Sequence, residues 1–496
     1  MVAGRKVSPQ DHHSGSAPET PRARVNHRKG KPLPSRARSF PGQHAGRRWN
    51  QYQFVLAFLL ILATLLVTTY RHAPTLPFVN DDYCFLDKVS SQSFPELWQR
   101  QELLFGWYRP WSREFHYWTL YHLFDTNEAV YHLVSFALWG TVMVLFFVLV
   151  WRLAGAVVAT IAAAGVATLG LWSALLVWVA GAQDLWMLLW SLVFLHCLAR
   201  RWHVTAIAAL ALALLSKETA AVLPAVAVCF LFLVERRSPR EVLIRTAPLW
   251  LVLGTWAVIH PSLVPMIGKS SPVAADIASR PDRTAAALKT LFSQFNLEAP
   301  LAPWAGWSRA ALAGAAAAIL LGGFVFLAYK NKEHEPERLV QHSKRRALVV
   351  FGIAWAGLGW LPVLSPSLGW HAYYGSLGSL GFWFALAILL QDHRRTAIAI
   401  VAVLALLRQA RAATPSEDWG TEWYQVRAGM TLARIREQLF QLHPTLPPHS
   451  RLHFAQMPPH IGFLAGDGPS VRIWYKDPTL RAQYFSAFAP RTPDAP

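Results

Sequence analysis

Long apolar runs separated by short polar segments dominate the pattern of this 496-residue chain. A helix needs about 20 predominantly apolar residues to cross a bilayer, and somewhat shorter runs are tolerated. The pattern predicts about eleven such helices, of which the fifth and the last are short. Their approximate ranges are 52–70, 128–151, 154–172, 184–199, 203–216, 219–235, 246–262, 307–328, 347–364, 373–390 and 396–408. We therefore predict an all-α polytopic membrane protein whose transmembrane domain spans residues 51–408.

Lys and Arg are distributed unevenly between the polar segments. If the basic tail 1–50, which is predicted to be disordered, lies in the cytoplasm, every Lys/Arg-rich connection falls on the same side. Residues 330–346 carry six Lys or Arg, whereas the opposite loop 72–127 carries four in 56 residues. The extracytoplasmic side then holds a first loop at about 71–127, two further loops at about 263–306 and 365–371, and a tail from 409.

The tail 409–496 is predicted to form a small extracytoplasmic α/β domain. Apolar positions at helical spacing predict an amphipathic helix over Tyr424–Leu442. Short apolar segments predict strands at Arg451–Gln456 and Val471–Tyr475. No internal repeat is visible in the chain.

Composition narrows the class of protein. The chain is 53% hydrophobic and only 15% charged, whereas soluble domains carry about 25% charged residues. The net charge of +19 is 47 minus 28, and residues 1–50 alone hold 11 Lys or Arg and two acids. The charge therefore points to a membrane-flanking tail and not to a nucleic acid partner. The three cysteines have neither disulfide-framework nor metal-ligand spacing.

Charged residues beside or inside apolar runs are the functional candidates, since each costs about 2.5–3.5 kcal/mol at the centre of a membrane helix. Asp81 and Asp82 follow the first helix among aromatic residues. Adjacent carboxylates in an apolar setting repel each other, so one of them can have a raised pKa and act as a general base. Alternatively, the pair binds a cation or caps a short helix.

Arg109 and Arg113 lie in the same loop, four residues apart, in an aromatic segment that includes Tyr108. Guanidinium groups suit phosphate recognition. The alternative is anchoring at the membrane interface, where Trp and Tyr concentrate and Arg extends its charge toward water.

Further candidates lie at the same predicted side of the membrane. Asp184 is a candidate site residue or the cap of the fourth helix. Lys217 and Glu218 interrupt a long apolar run, which predicts a break into two short helices at a cavity, or else an ion pair that neutralises itself. His371 is a candidate ligand of a phosphate or sugar, or an interfacial histidine. Because these residues share one side, we predict an extracytoplasmic site.

Short motifs in a fixed order resemble the C-type glycosyltransferase superfamily of polytopic membrane enzymes. The chain is most similar to the transmembrane O-mannosyltransferases with tetratricopeptide repeats and to their bacterial relatives. The motifs are Asn80-Asp-Asp82, Tyr108-Arg-Pro110, Trp178-Val-Ala-Gly-Ala-Gln-Asp184, Leu215-Ser-Lys-Glu218, and a weaker Leu361-Pro-Val-Leu-Ser-Pro366 leading to Tyr373-Tyr-Gly375.

The resemblance implies an inverting transfer of a sugar from a polyprenyl-phosphate donor, at the extracytoplasmic membrane boundary. The base is then Asp82 or Asp81, with Asp82 preferred. Lys217 and Arg109 stabilise the leaving phosphate, and Glu218 and Asp184 orient them or bind donor hydroxyls. The other candidate contributors are Arg113 and His371 at the phosphate and Tyr108 in support. Some members of the superfamily use Mg²⁺ or Mn²⁺ and others do not, so no certain cofactor is implied.

The chain departs from that family after its last helix, because it has no tetratricopeptide repeats. Protein, lipid and glycan acceptors therefore remain open. A polyprenyl carrier and one compact tail favour a bacterial inner membrane with the site facing the periplasm. Two other functions compete with this hypothesis: a transporter or flippase for a lipid-linked or anionic substrate, and a non-catalytic membrane scaffold.

Overall fold

In a computed structural model, the described residues are Leu56, 58–99, 104–261, 283–298, 342–364, 370–412, 414–458 and 461–485. The predicted cytoplasmic tail 1–50 and the predicted helix 307–328 lie outside these residues.

Every other apolar run that predicts a membrane helix is helical over most of its described residues. Several of these helices start or end a few residues away from the predicted bounds. The helices are α1 Phe58–Thr69, α2 Asp81–Ser91, α3 His116–Phe124, α4 Glu128–Ala154, α5 Ala156–Ala167, α6 Trp172–Val177, α7 Ala182–Ala199, α8 His203–Leu214, α9 Leu223–Cys229, α10 Pro239–Ile259, α11 Arg283–Ser293, α12 His342–Trp360, α13 Ser376–Leu390, α14 Arg394–Ala412, α15 Glu422–Leu442, α16 Ile461–Leu464 and α17 Pro469–Tyr475.

Five helical stretches in the described part of the chain are long and apolar enough to cross a membrane, and several shorter apolar helices accompany them. The five are Glu128–Ala154, Val179–Ala199, Pro239–Ile259, Ser343–Leu364 and Ala372–Leu390. Charged side chains are almost confined to their ends. The chain is therefore an integral membrane protein built from a helical bundle, as its pattern predicts.

The described part of the first loop, residues 71–99 and 104–127, contains several helical segments. It contains α2, a π-helical turn at Pro110–Phe115 and α3. Its aromatic and aliphatic side chains belong to the same buried core as the helical bundle; Phe85, Leu86 and Tyr117 are at most 2% exposed. The described part of the loop is thus packed against the bundle.

The C-terminal region is a small α/β unit. Helix α15 begins two residues before the predicted start, because the Thr421 side chain caps it by accepting a hydrogen bond from Tyr424 N. Strand β1, Arg451–Phe454, pairs in parallel with β2, Arg481–Tyr484, and Arg451 lies opposite Arg481. The two strands are joined by a crossover that contains α16 and α17.

The predicted strand at Val471–Tyr475 is wrong, because this segment belongs to helix α17. Pro469 occupies the first turn of that helix, where its fixed φ is favourable and its missing N–H costs nothing. A parallel strand pair needs a crossover connection, usually helical. The segment supplies that helix, and the strand that pairs with β1 lies ten residues later in the chain.

Candidate functional site

The helical course of the chain is broken between α8 and α9, as the charged residues there predict. Helix α8 ends at Leu214, Lys217 has extended backbone (φ −164°, ψ 145°), and a 3-10 helix starts at Glu218. The carbonyl groups of the two residues before Lys217 accept hydrogen bonds from Trp111 N (3.2 Å) and Ser112 Oγ (2.6 Å). The first loop is thereby anchored to the break.

Arg109 forms a fork-shaped ion pair with Glu218. Its Nε lies 3.0 Å from both carboxylate oxygens and its Nη2 lies 2.7 Å from Oε2. Nη1 donates to Gln183 Oε1 at 3.0 Å. The buried His260 ring contacts the same carboxylate at 3.5 Å and accepts the backbone N–H of Tyr108. Two of the five N–H groups of Arg109 therefore have no acceptor among the described residues.

Lys217 pairs with a different helix. Its Nζ lies 2.6 Å from Asp184 Oδ2, in the first turn of α7, and both side chains are buried. The ammonium group also lies 5.2 Å from the Tyr373 ring centre and 5.1 Å from that of Tyr374. The other oxygen of Asp184 is buried and has no hydrogen-bond partner in the described structure. An ion pair with one unpaired acceptor and aromatic walls can receive a polar ligand.

Asp82 is fully buried and is the more constrained of the two adjacent carboxylates. Its Oδ1 accepts hydrogen bonds from Tyr117 Oη and Ala180 N, both at 2.8 Å. Its Oδ2 accepts the N–H of Val79 at 3.0 Å, and its own N–H donates to Val79 O. Burial raises the pKa of Asp82 to about 7, although these donors favour the charged form. Asp82 therefore ties the first loop to the start of α7.

Asp81 is half-buried, and its carboxylate makes no hydrogen bond or ion pair with any residue that the structure describes. Burial raises its pKa to about 6, while the charges of Arg109 and Arg113 act in the opposite direction. A carboxylate of this kind is ionised near neutral pH and is basic enough to accept a proton. Of the two aspartates, Asp81 is the one whose oxygens are available to a ligand.

The Arg113 guanidinium, in contrast, donates hydrogen bonds to acceptors of the protein itself. It donates to Glu114 Oε1 (2.8 Å from Nε) and to the carbonyls of Leu104 (3.0 Å) and Trp107 (2.7 Å). Lys88 contacts the same Glu114 oxygen at 3.1 Å, and all three charged side chains are almost fully buried. This cluster holds the loop that carries Arg109, so the structure gives Arg113 a supporting position.

His371 lies beside the two tyrosines that flank Lys217. Its Nδ1 is 2.6 Å from Asp418 Oδ1, and its ring lies 3.9 Å from that of Trp419, measured between centres. Its ring also stacks on Tyr373, with the centres 5.8 Å apart. Nε2 is buried without a hydrogen-bond partner among the described residues. The imidazole is thus oriented by Asp418 and keeps one nitrogen for a ligand.

The structure therefore brings Asp81, Arg109, Lys217, Asp184 and Glu218 to one region. Several partners of these residues, of Asp82 and of His371 were not predicted from the sequence, namely Gln183, His260, Tyr117, Asp418 and Trp419. Gln183 precedes a predicted site residue and could have been included on that ground. The other four lie far along the chain from the residues they contact, and nothing in their local pattern distinguishes them from packing residues.

The potential metal ligands among the described residues are dispersed. No three His, Cys, Asp or Glu side chains there converge on a position that could hold a metal ion. We therefore assign no metal ligand.

Comparison with known proteins gives distant likenesses only. No family model and no curated protein matches the chain. The chain is similar to ArnT from Cupriavidus metallidurans in a crystal structure bound to undecaprenyl phosphate, with 19% identity and a TM-score of 0.39. It is also similar to the apo state of that protein, with 18% identity and a TM-score of 0.40. Each match covers 86% of this chain and 85% of the other. At this level of similarity neither structure bears on what the chain does, and the O-mannosyltransferase-like subtype stays a prediction.

Proposed function

We propose that the chain is an inverting glycosyltransferase that moves a sugar from a polyprenyl-phosphate donor to a hydroxyl group of an acceptor. The observation that carries this proposal is the Asp81 carboxylate, which has no partner among the described residues and feels the charge of Arg109, the arginine paired with Glu218 at the helix break. A base next to fixed positive charge is the minimum that such a displacement needs. The motif order along the sequence supports the same reaction class.

In this mechanism Asp81 is the general base, in place of Asp82, which the family resemblance favours. The Asp81 carboxylate takes the proton of the acceptor hydroxyl as its oxygen attacks the anomeric carbon. The bond between that carbon and the phosphate oxygen breaks, and its electron pair leaves with the lipid phosphate. Asp82 already accepts three hydrogen bonds, so its oxygens are occupied by the protein.

Arg109 and Lys217 are the groups that would receive the leaving phosphate. Together with Asp184 and Glu218 they form a quartet whose formal charges cancel, so the protein is not left with buried excess charge when the site is empty. Arg109 keeps two N–H groups for a ligand, and Lys217 is held in place by Asp184. Fixed donors of this kind stabilise developing negative charge without reorganisation.

The aromatic side chains next to Lys217 would form the wall of the sugar site. Tyr373, Tyr374 and Trp419 present ring faces and edges around His371. His371 Nε2 and Asp184 Oδ1 are polar atoms that would bind donor hydroxyls or a phosphate oxygen. Arg113 and Tyr108 would act through the loop that positions Arg109.

The cellular setting belongs to the same proposal. With the basic tail 1–50 in the cytoplasm, the site lies at the extracytoplasmic boundary. We place the protein in a bacterial inner membrane, with the bilayer and a polyprenyl-linked sugar as its partners. Protein, lipid and glycan acceptors all carry a hydroxyl group that the Asp81 carboxylate would deprotonate.

The test is donor turnover by the purified protein in lipid nanodiscs. Radiolabelled polyprenyl-phosphate mannose, glucose and aminoarabinose are supplied in turn, and release of polyprenyl phosphate is followed. We expect release from one donor, lost in Asp81→Asn and strongly reduced in Lys217→Ala. Asp125→Asn, a change of an exposed aspartate at the end of the first loop, is the matched control and should behave as wild type. Donor binding without release, unaffected by Asp81→Asn, would instead indicate a flippase or a scaffold.

A further inference from the structure

The C-terminal unit packs directly on the helix that begins with Asp81. Arg472 of α17 places Nε and Nη2 2.6 Å from the two carboxylate oxygens of Asp87 on α2. Trp474 Nε1 donates to Tyr83 Oη at 3.1 Å, and the two rings meet edge to face. A two-pronged arginine–carboxylate pair fixes orientation as well as distance. Helix α2 is therefore held in one rotational setting by residues almost 400 positions later.

The same unit also contacts the turn that precedes α2. The backbone N–H of Asn80 donates to Leu464 O at 2.7 Å. Gly466, with φ +65°, lies so close that an added Cβ would come within 3.1 Å of the Tyr83 side chain and 3.3 Å of Asn80 O. The fit of this chain segment against the turn thus depends on a glycine, both for its conformation and for its size.

Asn80 itself has an unfavourable conformation. Its backbone (φ 55°, ψ −124°) has the geometry of the first central position of a type II′ turn, where glycine is strongly preferred. The turn is closed by the Asp82 N–H bond to Val79 O. The Asn80 carboxamide is buried, and neither its oxygen nor its nitrogen has a hydrogen-bond partner in the described structure. Such a residue persists only where its surroundings enforce it, which is common at functional sites.

We propose that the segment 461–485 is a clamp that holds Asn80 and Asp81 in the conformation needed for proton abstraction, with Arg472 as its positioning residue. This inference rests on the proposed function, because it assumes that Asp81 is the base. Asp81 is the residue after Asn80, so the backbone of Asn80 sets where its carboxylate lies. A general base must be within hydrogen-bond reach of the hydroxyl it deprotonates, and a displacement of about 1 Å can lower the rate by about 100-fold.

The experiment uses the full-length protein in nanodiscs and two readouts. Hydrogen–deuterium exchange over residues 79–91 reports the clamp independently of any reaction. Values of kcat and KM are measured with the polyprenyl-phosphate sugar that wild type consumes. The variants are Arg472→Ala, Arg472→Lys and the charge exchange Asp87→Arg with Arg472→Asp. The control is Lys476→Ala, which removes an ion pair between the residue after α17 and Asp125, away from α2.

We expect Arg472→Ala to speed exchange over 79–91 and to lower kcat at least about tenfold, while KM for the donor changes less than about twofold. Donor contacts lie mainly on other elements, so binding should survive. Arg472→Lys keeps the charge but lacks the forked guanidinium, so it should lower kcat and protection from hydrogen exchange by less than Arg472→Ala does. The double variant with exchanged charges should restore part of kcat and part of the protection from hydrogen exchange. Lys476→Ala should change neither kcat nor hydrogen exchange.

Three results would overturn the clamp. Unchanged hydrogen exchange over 79–91 in Arg472→Ala would show that the Arg472–Asp87 pair does not stabilise α2. Faster exchange with an unchanged kcat would show that the geometry of α2 does not matter for turnover. A raised KM with unchanged kcat would assign this surface to substrate binding. If wild type consumes no donor, the proposed function fails, and the exchange experiment alone then decides whether the clamp exists.

Discussion

Replacing each of the two adjacent aspartates by asparagine should separate catalysis from stability. Asp81→Asn removes a carboxylate that no described residue uses, and Asp82→Asn alters one that three donors use. We therefore expect Asp81→Asn to lower kcat about 10²–10⁴-fold, the usual contribution of a general base. Its melting temperature should stay the same or rise, since the amide has no charge to desolvate.

The expected cost of Asp82→Asn follows from its contacts. The amide oxygen can replace Oδ1 in the bonds from Tyr117 and Ala180, but the amide NH₂ group then faces the N–H of Val79. One unpaired buried donor costs about 1–3 kcal/mol, and exchanging two charge-assisted bonds for neutral ones costs about 1 kcal/mol each. These losses sum to about 3–5 kcal/mol, and relief of the desolvation that raises the pKa of Asp82 offsets part of them, so the melting temperature should fall by a few degrees.

The assay combines thermal unfolding and donor turnover at about pH 8, where both aspartates are ionised. Asp125→Asn is again the control for a change of charge in the same loop. The assignment of roles would be refuted if Asp82→Asn abolished turnover at an unchanged melting temperature while Asp81→Asn retained turnover. In that case the buried, fully bonded aspartate would be the base, and the hydrogen bonds described above would have to break during the reaction.

Three further predictions concern the surroundings of Asp81. Because the base must be ionised, kcat/KM should fall as pH drops through about 6 to 7, the range in which burial places the pKa values of the aspartate pair, and Asp81→Asn should abolish this limb of the profile. Arg109→Lys should lower kcat at least about tenfold because a lysine lacks the planar fork with which Arg109 engages Glu218 and Gln183. Arg436→Lys, in an exposed ion pair, should have no effect, and equal activity of the two variants would contradict the role of Arg109. Arg113→Ala should lower the melting temperature, since breaking a buried pair costs about 3–5 kcal/mol, yet leave donor affinity unchanged; weaker donor binding at a normal melting temperature would restore its predicted phosphate role.

The helical bundle could be predicted from the sequence because membrane helices are set by one local quantity, the length of an apolar run. The same approach was wrong at Val471–Tyr475, where five residues of mixed character fit a strand or a short helix equally well. The segment forms a helix because it lies in the crossover that connects the parallel strands β1 and β2. Pro469, in the first turn of this helix, is the local sequence feature that indicates a helix.

The residues of the candidate site were predicted as a set, but their individual positions were not. Asp81 and Asp82 are adjacent and chemically identical, so the sequence offers no local difference between them. The difference comes from distant donors: Tyr117 in α3 and Ala180 before α7 converge on Asp82 and leave Asp81 without a partner among the described residues. Arg113 was likewise expected at a phosphate, and it is the neighbouring Glu114 with the backbone of the same loop that engages it.

Lys217 and Glu218 show most clearly why the pairing had to come from the structure. As neighbours of opposite charge they could neutralise each other. In extended backbone, however, successive side chains point to opposite sides, and Lys217 is extended. Lys217 therefore reaches Asp184 in α7 while Glu218 reaches Arg109 in the first loop. One break in a helix thus joins two separate elements through two ion pairs, and one of the two cations, Arg109, acts electrostatically on the Asp81 carboxylate. A single continuous helix through this segment would instead have turned the two side chains about 100° apart and could not have placed one on each side.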